Sequence, residues 1–357
     1  MTAVATTGGE AKTVAHGIRL LQAMAGAGRG GAEGFFGRLC VALAETGLQQ
    51  RILVRRGGAA ARSLRAAGMA PVELGFGSRI DLLTRYRFGR EIRDFRPHLV
   101  LTWMSRATQH CPRGDFVHAA RLGGYYPLKY YRRCDHLIGN TRGIVDWLRE
   151  QGWPAGRAHY LPNFVEAAAG VPVLRTSLDT PEQAPLLLAL GRLHRHKAFD
   201  VLLEALVQVP EAHLWIAGEG PERGPLQRLA ARLNLTDRVR FLGWRTDIAD
   251  LFASADLFVC PSRVEPLGNV VIEAWAQHCP VVAAAAAGPR ELLHDGVNGL
   301  LVPLEDAAAL AAGIRRAIGD RSLCEKLVAG GEAAYAAEFT KAKVVAAYLD
   351  FFARVTP

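Results

Sequence analysis

The chain has 357 residues, a formal net charge of +9 and a composition that is 50% apolar. That length exceeds what one hydrophobic core usually serves, so two domains are expected. No run of eighteen apolar residues occurs and Met1 to Gly9 lacks the basic and apolar regions of a signal sequence, while the six cysteines show no paired metal-ligand spacing; the expectation is a cytoplasmic protein with reduced core thiols, neither exported nor membrane-spanning, with no metal site.

In chain order, Ile18 to Met24 reads as a first strand. It runs into Gly26-Ala-Gly28-Arg-Gly30-Gly31-Ala-Glu33 and then a helix with apolar Phe36, Leu39 and Leu43. Gly26, Gly28 and Gly31 spell the dinucleotide fingerprint. The next strand, Leu48 to Val54, ends in Arg55-Arg56 where NAD calls for an acidic residue. Two arginines suit a 2′-phosphate, so an NADP-dependent dehydrogenase stays open. Strand-like segments recur at 98–104, 115–118, 136–140 and 159–163, alternating with helix-like ones, as in an open, mostly parallel sheet. Trp103 and Arg106 close the first of these, and Asn140-Thr141 suits a helix cap. Residues 166–185 lack a clear period and hold three prolines. The expected organisation is a first domain over 1–170, a linker over 171–185, a second domain over 186–340 and a helix over 341–357 able to pack back on the first domain.

The second half carries the chemistry. Leu186 to Leu190 is an apolar strand, followed by Gly191-Arg192-Leu193-His194-Arg195-His196-Lys197 and a helix with Phe199, Leu202, Leu203 and Leu206. Strand, basic loop, helix is a phosphate-binding order, with Arg192 a planar fork and Lys197 a point charge. Leu214 to Gly218 and Val239 to Gly243 are strands ending at glycine turns, the first with Gly220 and the second leading to Arg245. Leu257 to Cys260 stops at Pro261-Ser262, and Glu265-Pro-Leu267-Gly268-Asn269-Val270-Val-Ile-Glu273 follows. Gly268 allows a tight turn, Asn269 suits an N-cap, and Glu273 falls about one turn inside the helix. Amides at a helix start bind phosphate, a carboxylate one turn in can accept from ribose hydroxyls, and the loop carboxylate can hold a further polyol. Together they describe a nucleotide sugar.

On Gly191-Arg192 with Lys197, Gly218-Glu-Gly220-Pro221, and Glu265 to Glu273 around Gly268, residues 185–345 resemble the carboxyl-terminal half of a retaining glycosyltransferase of family 4. The resemblance implies an α/β protein of GT-B fold, two Rossmann-like α/β/α domains facing across a cleft. It implies that Arg192 and Lys197 hold the donor diphosphate, Glu273 the ribose and Glu265 the transferred sugar, with the Leu267 to Val270 backbone cradling the phosphates and main-chain groups from Arg245 reading the base. Gly30, Gly31 and Glu33 match the family's glycine loop facing the donor. Ala198 stands where the family usually has glycine, and little consequence is expected of one methyl. The family places a histidine at a strand end near the transferred sugar, for which His118 and Arg121 are the candidates. No resident cofactor and no metal are implied: the nucleoside-diphosphate sugar, with UDP favoured, is a substrate. Retention follows from same-face attack, with the leaving phosphate taking the acceptor's proton.

Charge is uneven. Residues 1–170 hold 24 Lys and Arg against 12 Asp and Glu, a net of +12, and residues 171–357 hold 19 against 22, a net of −3. Because the family's first domain binds the acceptor, the excess suggests an anionic glycan or glycolipid acceptor, or an anionic membrane surface on the cytosolic side. Lys129-Tyr-Tyr-Arg132-Arg133 mixes rings and cations as interfacial surfaces do. Nothing accompanies the charge that would recognise nucleic acid. A GT-B nucleotide-sugar epimerase is the alternative enzyme.

Overall fold

The computed structural model describes residues 17–26, 28, 30–77 and 81–356. The chain divides into two compact units, residues 1–164 with 341–357, and residues 165–340.

The first unit is built on a seven-stranded parallel sheet, ordered β3-β2-β1-β4-β5-β6-β7. Its strands are β1 (Arg19–Met24), β2 (Gln49–Arg55), β3 (Val72–Leu74), β4 (Leu99–Trp103), β5 (Val117–Leu122), β6 (His136–Gly139) and β7 (Ala158–Tyr160). Parallel strands need crossovers, and the helices supplying them bury both sheet faces, which is why β4 and all of β1 after Arg19 are buried at every position. Phe35 and Phe36 of α1 (Gly31–Ala44) pack with Trp103 and with Tyr348, Phe351 and Phe352 of the carboxyl-terminal helix Lys341–Val355. That helix is therefore part of the first unit's core.

The second unit has a six-stranded parallel sheet, ordered β10-β9-β8-β11-β12-β13. The strands are β8 (Leu186–Leu190), β9 (His213–Ala217), β10 (Val239–Gly243), β11 (Leu257–Cys260), β12 (Val281–Ala284) and β13 (Leu300–Val302). β8 is buried at every position, as a central strand covered on both faces must be. Strand order reverses between β8 and β11, and loops leaving the carboxyl ends of two such strands part to opposite sides, leaving a crevice.

Two expectations about organisation need correction. Residues 171–185 are no free linker: the amides of Val171 and Val173 donate to Asp250 (2.8 Å) and Ser254 (2.8 Å), and Arg175 donates to the Ser254 carbonyl and to Asp256 (3.0 Å). The strand placed at 115–118 in fact runs Val117–Leu122. Its small Ala119-Ala120 pair and charged Arg121 hide the pattern, and burial by the crossover helices overrides propensity.

Candidate active site

Five loops meet at the carboxyl edge of the second sheet, and backbone hydrogen bonds stitch them together. Gly191 N–H donates to the Ala217 carbonyl (3.0 Å), Leu193 N–H to Glu219 (3.0 Å), and Gly218 N–H to Gly243 (2.7 Å). Across the switch point, the amides of Arg263 and Val264 both donate to the His196 carbonyl (2.9 and 3.1 Å). Glycine is required where these backbones touch: a Cβ on Gly218 would strike the Gly191 carbonyl, and one on Gly220 the Leu193 carbonyl. Gly218 also has φ of +150°, which side chains rarely adopt. The motif glycines thus bring the basic loop and the Gly218–Pro221 turn into contact.

At the crevice, the Lys197 ammonium is ion-paired with Glu265, and both side chains are largely buried, at 20% and 12% exposure. Burial alone would depress the Lys197 pKa, but Glu265, Cys260 and Glu273 outweigh it and hold it above the ordinary lysine value. Lys197 is therefore a permanent cation facing two carboxylates. Glu265 is oriented by the Gly268 amide (3.3 Å) and lies 3.5 Å from the Ser262 hydroxyl. Arg192 is exposed and forms no ion pair among the described residues. A ligand anion can reach Arg192 without first displacing an acid.

The helix after Glu265 spans Asn269–Ala276, and its N-cap is Gly268 in the left-handed conformation (φ +81°), not Asn269 as expected. A Cβ there would press on Leu292. Left-handed entry turns the chain sharply enough to make Asn269 the first helical residue and leaves the cap position to Gly268. Val270 lies in the first turn and Leu267 is buried beneath it. Glu273, one turn in, is partly exposed on the same helix.

At the turn expected to read the base through main-chain groups, the Arg245 side chain is held within the turn. Asp247 takes its Nε (2.8 Å) and a second guanidinium nitrogen, so main-chain groups are what this turn offers a ligand. Ala198 has φ of +50° and no exposed surface. The expectation of little consequence considered only the methyl's volume, whereas the conformation itself costs an alanine about 1 kcal/mol.

Some contributors were not legible in the sequence. Gly288 donates its amide to the Glu265 carbonyl (2.7 Å) and packs against Leu267 so closely that a Cβ would collide. Arg263 grips both oxygens of Asp200 (2.9 and 2.7 Å), donates to the Arg195 carbonyl (2.9 Å) and pairs with Glu305, bracing the loop that carries Glu265. An Ala-rich run ending in Gly288 was the one available signal. Nothing local links residue 200 to 263.

The first-unit candidates fare differently. His118 is the second residue of β5, so four strand residues, roughly 13 Å, separate it from the carboxyl edge. Its ring is buried, 3.0 Å from the Thr102 hydroxyl, and its amide donates to Asp135 (2.9 Å). Burial pushes its pKa down to about 4 despite Asp135, so it is neutral at pH 7. Arg121 is 2% exposed, donating to Tyr348 (2.8 Å) and Asn163 and lying 4.9 and 4.7 Å from the ring centres of Phe35 and Trp103. Both are framework residues, as is Trp103, which is 1% exposed and donates to Gln22 (3.1 Å). Thr141 does cap the helix Arg142–Glu150, accepting from the Ile144 amide (3.1 Å).

Gly30 is the N-cap of α1, and Gly31 its first residue. Ala27 and Arg29 of the same loop lie outside the described residues. The Glu33 carboxylate folds back over this loop, where a Cβ on Gly26 or Gly30 would collide with it. A dinucleotide's pyrophosphate would need that space and would meet negative charge there, so the glycine fingerprint is not used in the dehydrogenase manner.

Comparison with known proteins agrees with the second-unit geometry. Residues 184–320 match the model for glycosyl transferases group 1, and residues 29–169 the model for glycosyltransferase family 4. Two lipopolysaccharide core biosynthesis glycosyltransferases of Rhizobium meliloti (strain 1021) are similar along nearly the whole chain. LpsE is 36% identical, covering 91% of this chain and 96% of the relative, and LpsD is 37% identical, covering 91% and 95%. Among solved structures, Anabaena Alr3699/HepE in complex with UDP and glucose superposes with a TM-score of 0.82 at 22% identity, covering 95% of this chain and all of that one.

Proposed function

Because the chain belongs to the family 4, group 1 glycosyltransferases and has the GT-B fold, we propose that it moves a sugar from a nucleoside-diphosphate sugar to a glycan or glycolipid with retention of configuration and without a metal ion. The observation that carries this is the arrangement of Lys197, Glu265 and Glu273 at the switch point of the second sheet, on the same edge as an Arg192 that has no ion pair among the described residues.

As the glycosidic bond to the diphosphate breaks, positive charge grows at the anomeric carbon and negative charge on the leaving oxygens. Lys197, Arg192 and the amides from Leu267 to Val270 are the groups for the leaving diphosphate, and a fixed, largely buried, permanent cation is effective there. Glu265 accepts from hydroxyls of the transferred sugar and Glu273 from the ribose. With the diphosphate so neutralised, its own oxygen can take the acceptor's proton during same-face attack, so neither enzymic base nor metal is invoked. UDP is the favoured nucleotide, as one structural neighbour holds UDP and glucose.

The first unit holds 27 Lys and Arg against 12 Asp and Glu, a net of +15. That suits an anionic acceptor at an anionic membrane surface, and the similarity to LpsE and LpsD points to lipopolysaccharide core synthesis. Among the described residues no helix is long and apolar enough to cross a membrane, so we propose peripheral attachment on the cytosolic face. The test is incubation of a panel of nucleoside-diphosphate sugars, in EDTA, with a lipopolysaccharide-core acceptor. A new α- or β-glycoside of the donor's own configuration is expected; free epimerised nucleotide sugar and no glycoside would point to the epimerase instead.

A further inference from the structure

A second charged site lies in the first unit, apart from the donor-site residues, and it includes the Lys129–Arg133 cluster noted in the sequence. A pocket of about 510 Å³ is lined by Arg85, His110, Lys129, Arg132 and Arg133, with Thr108, Gln109 and Tyr130. Four of these are cations, none of the lining residues is acidic, and none of the four forms an ion pair among the described residues. Clustered cations repel one another, and unless an anion joins them the arrangement is a standing electrostatic cost.

Two independent observations point to what joins them. His110 is only 3% exposed, and its Nδ1 is buried without a hydrogen-bond partner. A buried polar nitrogen left unpaired costs about 1–3 kcal/mol, so it calls for a ligand. Asp81, the neighbouring acid, does not supply one: its oxygens are taken by the Thr84 amide (2.9 Å), the Thr84 hydroxyl (2.6 Å) and the Gly77 amide (2.9 Å). The second observation is the helix that carries Arg85, Leu82–Phe95. It buries Thr84, Phe88 and Glu91, yet its first turn leaves Leu82 70%, Leu83 59% and Tyr86 64% exposed, with Arg90 and Arg93 further along the same outer side. Three large apolar side chains in one turn of solvent-facing helix, bordered by arginines, are what an interfacial helix presents to a bilayer.

We propose that this pocket binds the phosphate headgroup of an anionic membrane lipid while Leu82, Leu83 and Tyr86 enter the headgroup–acyl boundary. This rests on the reading of a membrane-surface enzyme given above, and assigns the residues that hold it there. The four cations bind the phosphate beside the buried His110, the apolar turn distinguishes a lipid from a soluble phosphate, and neither group is part of the donor site.

The test is flotation of the full-length protein with vesicles of phosphatidylcholine alone or with 30% phosphatidylglycerol, at low and physiological salt. Wild type floats with the anionic vesicles only. Arg132→Ala/Arg133→Ala lowers the bound fraction at least tenfold, and Leu82→Ser/Leu83→Ser lowers it severalfold. Both variants keep the wild-type thermal shift with UDP, which separates loss of this site from loss of fold or of the donor site. Should the double arginine variant misfold, Lys129→Ala gives the same comparison with a smaller expected loss. Wild-type flotation in the arginine variants overturns the pocket. Absence of wild-type binding at low salt overturns the membrane role. Full competition by millimolar glycerol 1-phosphate, together with unchanged flotation of the serine variant, would assign the pocket to a soluble phosphate and overturn the lipid.

Discussion

Lys197 in the second unit and Arg121 in the first both follow or close an apolar strand, and both are mostly buried. Their surroundings differ in kind. Lys197 faces carboxylates on a loop bordered by glycines, with an exposed arginine nearby, so a ligand anion can exchange for its partner. Arg121 is enclosed by two aromatic rings and donates to a phenol and an amide from distant parts of the chain. A buried cation is suited to chemistry when its neighbours are charged and replaceable, and to architecture when they are neutral and packed.

The largest expected effect that would break this contrast is on activity at Lys197. Lys197→Ala should lower kcat roughly 10²–10³-fold, the size typical of removing one group that stabilises developing negative charge. Its melting temperature should fall only slightly, because Glu265 keeps its contact with the Gly268 amide and some solvent access. Near-normal turnover in the folded variant would remove Lys197 from the diphosphate site.

Arg121→Leu should invert that pattern. It strands the Tyr348 hydroxyl in the core and removes the bond to Asn163, costing about 2–4 kcal/mol of stability, while UDP binding by the surviving folded protein stays at the wild-type level. Chemical denaturation with and without UDP measures both. A variant as stable as wild type but inactive would return Arg121 to the substrate.

A smaller effect sharpens the distinction for His118. Its folded pKa of about 4 lies below the unfolded value near 6.5, with burial the main cause. Between those values the unfolded chain binds the proton and the folded chain does not, so stability is fully present above pH 6.5 and is lost as pH falls toward 4. His118→Gln should remove roughly 2–3 kcal/mol of that acid sensitivity, as read from urea midpoints at pH 7 and pH 4.5. An unchanged pH dependence would show that the imidazole is not held neutral. Smallest of all is Ala198→Gly, where relief of the left-handed conformation and the greater entropy of an unfolded glycine nearly cancel, leaving stability within about 1 kcal/mol.

The second unit was the more legible half, for a physical reason. Leu186–Leu190 and Leu257–Cys260 are apolar runs ended by glycine or proline, Val239–Gly243 is mostly apolar and ends in glycine, and each strand has those bounds. Its ligand groups sit on short loops that leave the carboxyl ends of those strands. In the first unit, the Ala119-Ala120-Arg121-Leu122 stretch carries little strand signal, and an arginine there looks like an exit to solvent. Phe35, Trp103, Asn163 and Tyr348, brought together by tertiary packing, make it a core residue. The same limit hid the Arg263–Asp200 brace and the backbone seat of Gly288. The pocket around His110 likewise joins residues from three separate segments.

The central claim is that the second unit's crevice is a nucleoside-diphosphate site centred on Lys197. Calorimetric titration of UDP, GDP, ADP and NADPH into the full-length protein in EDTA tests it most directly. The account predicts that one of the nucleoside diphosphates, UDP first, binds in the absence of metal, that Lys197→Ala weakens it at least tenfold, and that NADPH gives no heat. Binding of NADPH with no response to any nucleoside diphosphate would contradict it.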